Sequence, residues 1–308
     1  MRSKYGACFA LTSGLIDYAG MFPPAKLSFT DTLKRAASWR RESPYPWLLN
    51  RVVLPYEEFT SITSRLLLES GADGAPWLFT VLASKGEAWT GAQKDLAGMA
   101  RFHEREYEGA IRKRAVAYEW KAPEESQLTT AWEKILETVD IAQLLPLTIY
   151  VEMAMTESSL QRVDQLRELN RTTPFTFGLK VRTGGVTIPT PTQLAQAIEG
   201  AAKAGLKFKA TQGLHEVFTH SNAFGFLNLF AALNLRFHSS LTTANLIACL
   251  QDDEAKNFTF TPDRFSWRGH LLSTTQIEAA RLKHAGAFGS CSLDEPSDSL
   301  KKWFGAHL

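Results

Sequence analysis

Short apolar runs recur along the chain, and between them lie longer stretches whose apolar positions fall three or four residues apart. The first pattern reads as strand and the second as amphipathic helix. The runs are Leu15–Phe22, Trp47–Pro55, Trp77–Ala83, Ala115–Trp120, Leu147–Met153, Phe175–Arg182, Leu206–Thr211 and Ala287–Leu293. Helical spacing starts behind a cap at Ser28 or Thr30, with Leu33, Ala36, Ala37 and Arg40 following. It recurs over Glu57–Ser70, Ala88–Arg112, Leu128–Asp140, Ser158–Asn170, Thr192–Ala204, Ala223–Leu235 and Thr274–Ala285. Eight strands alternating with eight helical segments predict an α/β fold, a closed parallel (β/α)8 TIM barrel.

A surplus at about 236–273 separates the seventh helix from the eighth strand. It holds a helical stretch, Thr242–Leu250, and a hairpin pattern, FTFTPDRFSWRGHLL, turning at Pro262-Asp263. It reads as an insertion, either a lid or a subunit contact. With 308 residues and no internal repeat, one barrel domain over 1–308 is expected, since such barrels run to about 250 residues before insertions.

Composition narrows the function classes. Net charge is +2 with acids and bases interspersed, which argues against the basic face a nucleic-acid binder needs. No apolar run approaches the ~20 residues of a membrane span. Three dispersed cysteines, Cys8, Cys249 and Cys291, contain no CxxC pair and fit a reducing, cytoplasmic setting. The N-terminal MRSKYGACFALTSGLIDYAG has two early cations before an apolar run, as a signal peptide does, but Thr12, Ser13 and Gly14 interrupt it. Neither GxGxxG nor GxxxxGK[ST] occurs, so no nucleotide cofactor is implied.

In a parallel barrel the chemistry sits at the C-terminal ends of the strands. Polar residues expected there are Asp17, Arg51, Glu119, Glu152, Lys180 with Arg182, Lys209 with Thr211, His215 just beyond, and Ser290 with Ser292. Side chains alternate along a strand, so Lys180 and Arg182 share one face, and Lys209 and Thr211 share another. Most lysines are surface residues. Two on consecutive strands, each before a glycine-bearing turn (LKVRTGG and FKATQGL), form a more pointed pattern. A cation about 5 Å from a lysine, at an effective dielectric of about 20, is worth about 3 kcal/mol against the ammonium form. That is a recognised way to activate an amine for Schiff-base formation. Ion pairs that merely hold the barrel together are the competing reading.

These motifs resemble deoxyribose-phosphate aldolase and its class I aldolase relatives, over the segment from Leu147 to the C-terminus. The resemblance rests on Val151-Glu152 in the fifth strand, Lys180 in LKVRTGG, Lys209 in FKATQG and the eighth-strand FGSCS, Phe288–Ser292. It implies a TIM barrel, Lys180 as the Schiff-base lysine and Lys209 as the second, cationic lysine. The chain departs from the family pattern in three places. AYEWKA offers Glu119 without the family's aspartate, Gln212-Gly213-Leu214-His215 replaces a double glycine, and Cys291 replaces the first of two serines.

The function expected is a Schiff-base lyase or aldolase acting on a small, anionic carbonyl compound. Lys180, Lys209, Glu152, Asp17, Glu119 and His215 would be catalytic, and Arg182, Arg51, Thr211, Gly213, Ser290 and Ser292 would bind substrate. No cofactor or metal is expected, and the partner is a small molecule, with neither nucleic acid nor membrane; a homo-oligomer is left open. Two rivals stand beside this. One is a metal-dependent hydrolase or lyase using His215, Glu152 and His220, although His215 and His220 are five apart rather than the four of the zinc-protease helix. The other is a non-catalytic sugar- or anion-binding barrel.

Overall fold

The computed structural model describes residues 2–85, 88–105, 111–123, 127–153, 156, 162–186, 188–221, 223–239 and 241–304. Eight parallel strands close into a barrel: β1 (Ile16–Tyr18), β2 (Leu49–Pro55), β3 (Trp77–Leu82), β4 (Lys113–Lys121), β5 (Thr148–Glu152), β6 (Thr176–Arg182), β7 (Lys207–Thr211) and, after three strands of the insertion, β11 (Ala285–Ser290). Their order around the barrel is β1-β11-β7-β6-β5-β4-β3-β2. This is the (β/α)8 TIM barrel that the alternating pattern predicts.

Alternation within each strand sorts the side chains. In β6, Phe177, Leu179 and Val181 are fully buried beneath the outer helices, where Phe177 meets Trp132 at a ring separation of 5.2 Å. Phe288 of β11 likewise stacks on Phe226 of the helix Phe226–His238. The opposite faces, carrying Gly178, Lys180 and Arg182 in β6 and Lys207, Lys209 and Thr211 in β7, line the lumen. Tyr150 of β5 fills much of that lumen because two strand positions have no side chain. A Cβ at Gly178 would stand 2.9 Å from the Tyr150 ring, and one at Gly286 would stand 2.8 Å from its hydroxyl.

Helix ends follow local chemistry. Ser28 is the cap of the helix Phe29–Glu42, accepting from the Asp31 amide at 3.0 Å. Capping boxes pair Thr190 with Gln193 and Ser273 with Gln276. The single helix expected over Glu57–Ser70 is two, Tyr56–Thr60 and Ser64–Glu69, because Thr63 accepts from Leu66 N and starts a new one. β1 is shorter than the apolar run around it, and β11 begins two residues earlier than expected and stops at Ser290. The parts of the expected helices at 106–110 and 158–161 lie outside the described residues.

Two helices escape the alternating pattern. Arg2–Thr12 packs on the helix Thr274–Lys283. Asp294–Phe304 follows β11, with Ser292 accepting from Glu295 N at its start and Lys301 and Lys302 in its last turn. The surplus segment is the helix Thr243–Gln251 and a three-stranded antiparallel sheet, β8 (Phe258–Phe260), β9 (Arg264–Trp267) and β10 (His270–Ser273). The β8–β9 turn falls at Pro262-Asp263, as the hairpin pattern predicts, and Arg268-Gly269 adds a second reversal. The sheet packs against the helices Arg2–Thr12, Phe226–His238 and Thr274–Lys283 on the flank of the barrel.

Candidate active site

Seven charges of alternating sign run down the lumen. Arg182 Nε lies 2.6 Å from Glu152 Oε1, and Glu152 Oε2 is 2.8 Å from Lys180 Nζ. Lys180 Nζ is 2.6 Å from Glu119 Oε2, and the other oxygen of Glu119 is 2.6 Å from Lys209 Nζ. Lys209 also pairs with Asp17 Oδ2, which faces Arg51 Nη1 at 3.9 Å. The row follows from register: Glu152, Lys180 and Lys209 stand opposite one another on β5, β6 and β7, all pointing inward. Glu119 reaches across from β4 to take both lysines.

Access grades along the row. The Arg182 side chain is 51% exposed at the mouth, that of Lys180 is 9% exposed, and that of Lys209 is 1% exposed. Isolated charges at such depth are prohibitive, and paired ones are tolerated only with every lone pair engaged. Asp17 meets that condition by also accepting from Asn50 Nδ2 at 2.7 Å and Thr80 Oγ1 at 3.0 Å. Lys209 stands over the Tyr150 ring, 5.4 Å from its centroid, adding a cation–π contact.

Protonation states follow from these neighbours. Burial pushes the Glu119 carboxyl up, but Lys180 and Lys209 outweigh it and hold the group at about 2. Glu152 is likewise raised by burial and pulled further down by Lys180 and Arg182, to below its ordinary value. Burial acts to lower Lys209, yet Asp17 and Glu119 prevail and hold its ammonium above the usual lysine range. At neutral pH Lys209 is therefore a fixed cation and Glu119 a fixed anion.

This alters the expected division of labour. Lys209 is not a bare cation beside Lys180, because Glu119 stands between the two amines and Asp17 balances Lys209 from the far side. Lys180 Nζ sits between two carboxylates, each at hydrogen-bond distance. Of the two amines it is the nearer to the mouth.

The remaining expected residues divide. Thr211 ends β7 opposite Arg182 and Gly289, at the rim. Gly213 adopts φ +76°, and its backbone packs on Gly184 so closely that a Cβ at residue 184 would meet Gly213 Cα at 2.8 Å. That contact, with Thr183 Oγ1 donating to Gln212 O at 2.6 Å, ties the loops after β6 and β7 together beside the mouth. Arg51 is placed elsewhere than expected: it is the third residue of β2, near the strand's start, and lines a cavity at the base. Ser290 donates to Ser292 O at 2.6 Å, and Ser292 caps the last helix, so both hydroxyls serve the turn after β11.

His215 lies outside the row, with Nδ1 2.5 Å from Glu295, while Glu152 is engaged by Lys180 and Arg182. His220 forms a backbone bridge with Ala223. Among the described residues no group of three or more His, Cys, Asp or Glu is arranged to hold a metal. The sequence reading missed Asn50, Thr80 and Tyr150. Alternation exposes the last of these, since Tyr150 is two residues before Glu152 and faces the same way. Thr80 and Asn50 carry no such signal; they matter because β3 and β2 bring them to Asp17.

The fold and the row together define a closed (β/α)8 barrel with a charged lumen and two lysines bridged by Glu119 within it. No protein-family model matches the chain, and no curated protein matches it. Among solved structures it is similar to a deoxyribose phosphate aldolase from Aeropyrum pernix, described as a tetramer, with a TM-score of 0.51 at 11% identity over 97% of this chain and 95% of that one. At that identity the likeness is one of fold. No helix among the described residues is long and apolar enough to cross a membrane.

Proposed function

We propose that the protein is a Schiff-base-forming lyase of the aldolase kind, acting on a small carbonyl compound with an anionic tail. The observation that carries this is the buried Lys180–Glu119–Lys209 group, with one amine toward the mouth and the other locked as a cation beneath it. A lumen packed with Val, Ile and Leu is the ordinary solution for such a barrel. Replacing buried ion pairs with apolar side chains is often neutral or stabilising. Seven charges in that space therefore ask for a chemical reason.

In the proposed chemistry the Lys180 proton passes to Glu152, the carboxylate nearer the mouth, and the freed amine adds to the substrate carbonyl. A C–N bond forms, the carbonyl oxygen takes up a proton, and loss of water leaves an iminium. Electrons released when the neighbouring C–C bond breaks flow into that iminium. Lys209 remains charged and keeps Glu119 anionic and aimed at the reacting nitrogen. Arg182, half exposed and held by Glu152, is placed to receive a carboxylate or phosphate at the mouth. Thr211 and the Gly184–Gly213 loop contact border the same opening. A cytoplasmic role in carbohydrate metabolism, and assembly into an oligomer like the tetrameric neighbour, accompany this reading.

The test is borohydride trapping with pyruvate, acetaldehyde, dihydroxyacetone phosphate and sugar phosphates, followed by peptide mass spectrometry. The expected result is a reduced adduct on the Lys180 peptide that vanishes in Lys180→Met. No adduct on Lys180 with any of the four, in folded protein, sinks the proposal.

A further inference from the structure

The opposite end of the barrel carries a second concentration of charge. A cavity of about 350 Å³ opens there between the start of the strands and the helix Thr274–Lys283, and Arg51, Lys207 and Arg281 all line it. One carboxylate, Glu278, stands at its exposed edge. We propose that this base cavity binds a small dianionic oxyanion of the phosphate or dicarboxylate kind.

Lys207 and Arg281 lack the carboxylate contact that the cations at the mouth have, and Arg51 has only a distant one. Arg281 donates to the carbonyl oxygens of Ala285, Gly286, Ser13 and Gly14, which fixes its position without neutralising its charge. Its Nε is buried with no hydrogen-bond partner among the described residues. Lys207 forms no ion pair among the described residues; burial and the nearby Arg51 both press its ammonium below the ordinary lysine value. Arg51 leans on the Tyr150 hydroxyl and on Asp17, but at 3.9 Å, and Asp17 is already engaged by Lys209, Asn50 and Thr80. Three converging cations in a partly closed space, with one rim carboxylate, form a ready-made receptor for an oxyanion. The volume falls in the range of small-molecule sites.

The experiment is calorimetric titration of the full chain with inorganic phosphate and, separately, malonate at constant ionic strength. Saturable binding near one per chain is expected for at least one of them, and whichever binds identifies the oxyanion. Lys207→Gln should weaken it about tenfold, the size of one charge-assisted hydrogen bond. Lys207→Arg should restore most of the loss. Glu278→Gln, an exposed change that leaves folding alone, should tighten binding about two- to threefold by removing the rim carboxylate. Arg182→Gln, which removes the anion contact proposed at the mouth, should leave the Lys207-sensitive component of binding unchanged. No saturable binding of either anion up to about 10 mM, binding indifferent to both Lys207→Gln and Glu278→Gln, or binding lost in Arg182→Gln would overturn the proposal. The outcome is independent of whether Lys180 forms a Schiff base.

Discussion

The mouth and the base of this barrel hold comparable numbers of cations and balance them differently. Toward the mouth, Arg182, Lys180 and Lys209 alternate with Glu152, Glu119 and Asp17, and each cation shares its carboxylate with a neighbour. At the base, Arg51, Lys207 and Arg281 converge on one cavity, where Arg51 reaches Asp17 only at 3.9 Å, carbonyl dipoles meet Arg281 and an exposed glutamate stands at the rim. The comparison separates charge placed for internal balance from charge left in want of a partner. A balanced row holds its members in fixed protonation states. An unbalanced cluster is poised toward something that arrives from outside.

The largest contrast should come from deleting one cation at each end. Lys209→Met leaves Asp17 and Glu119 buried and facing each other without their shared ammonium. Breaking a buried pair in this way costs about 3–5 kcal/mol. Urea unfolding should show that loss, and a loss under about 1 kcal/mol would mean that water reaches the row and the balance described here is not needed.

Gly178→Ala tests the packing that sets the depth of the row. The added methyl would stand 2.9 Å from both the Tyr150 ring and Lys207 O, and backbone cannot swing aside. Overpacking of this kind costs about 1–3 kcal/mol. Tyr150 touches Lys209 on one side and Arg51 on the other, so the same change should perturb both ends. A shift confined to the Lys209 side, read by crystallography, would uncouple them.

Acid should loosen the mouth before the base. The Glu119 carboxyl is held at about 2 in the folded protein against an ordinary value of 4.5. The unfolded chain therefore binds the proton more readily, and the stabilisation from Glu119 is complete above about 4.5 and lost as pH falls toward 2. Glu152 is depressed too and adds in the same direction. Thermal unfolding across that range should show a steeper acid limb in wild type than in Glu119→Gln. Equal limbs would show that Glu119 carries no such linkage.

Most of the barrel is legible in the sequence because a parallel strand buried on its outer face leaves a period-two signature. Lys180 with Arg182, and Lys209 with Thr211, could be assigned to the lumen from that signature alone. What alternation does not supply is height along the barrel axis, which depends on where each strand starts. Arg51 shows the consequence: its run, Trp47–Pro55, begins with a 3-10 turn at Pro46–Leu48, so the strand starts at Leu49 and Arg51 falls at the base. Nor does it show which residue stands between two others. Glu119 belongs to β4, two strands away from β6, and only closure of the barrel brings it between the lysines. Ser290 ends β11 as alternation expects, yet its hydroxyl and that of Ser292 are engaged locally, because Ser292 precedes an Asp-Glu helix start and accepts from Glu295 N.

The smallest effect is also the one that most sharply divides the two ends. Lys207 is half buried beside Arg51 with no ion-pair partner among the described residues, so its charge opposes folding. Its ammonium is held below the ordinary lysine value, which means stability should rise with pH through the alkaline range below about 10.5 as the folded protein releases that proton first. Lys207→Met should accordingly stabilise the anion-free protein near neutrality by about 0.5 kcal/mol, the scale on which partly exposed charges act. It should also flatten the alkaline rise. The same substitution type therefore has opposite signs at the two ends, a large loss at Lys209 and a small gain at Lys207. If phosphate or malonate occupies the base, it reverses the second sign: with saturating anion present, wild type should become the more stable of the two. A Lys207→Met protein that is less stable than wild type without added anion would show that the base already has its counter-charge.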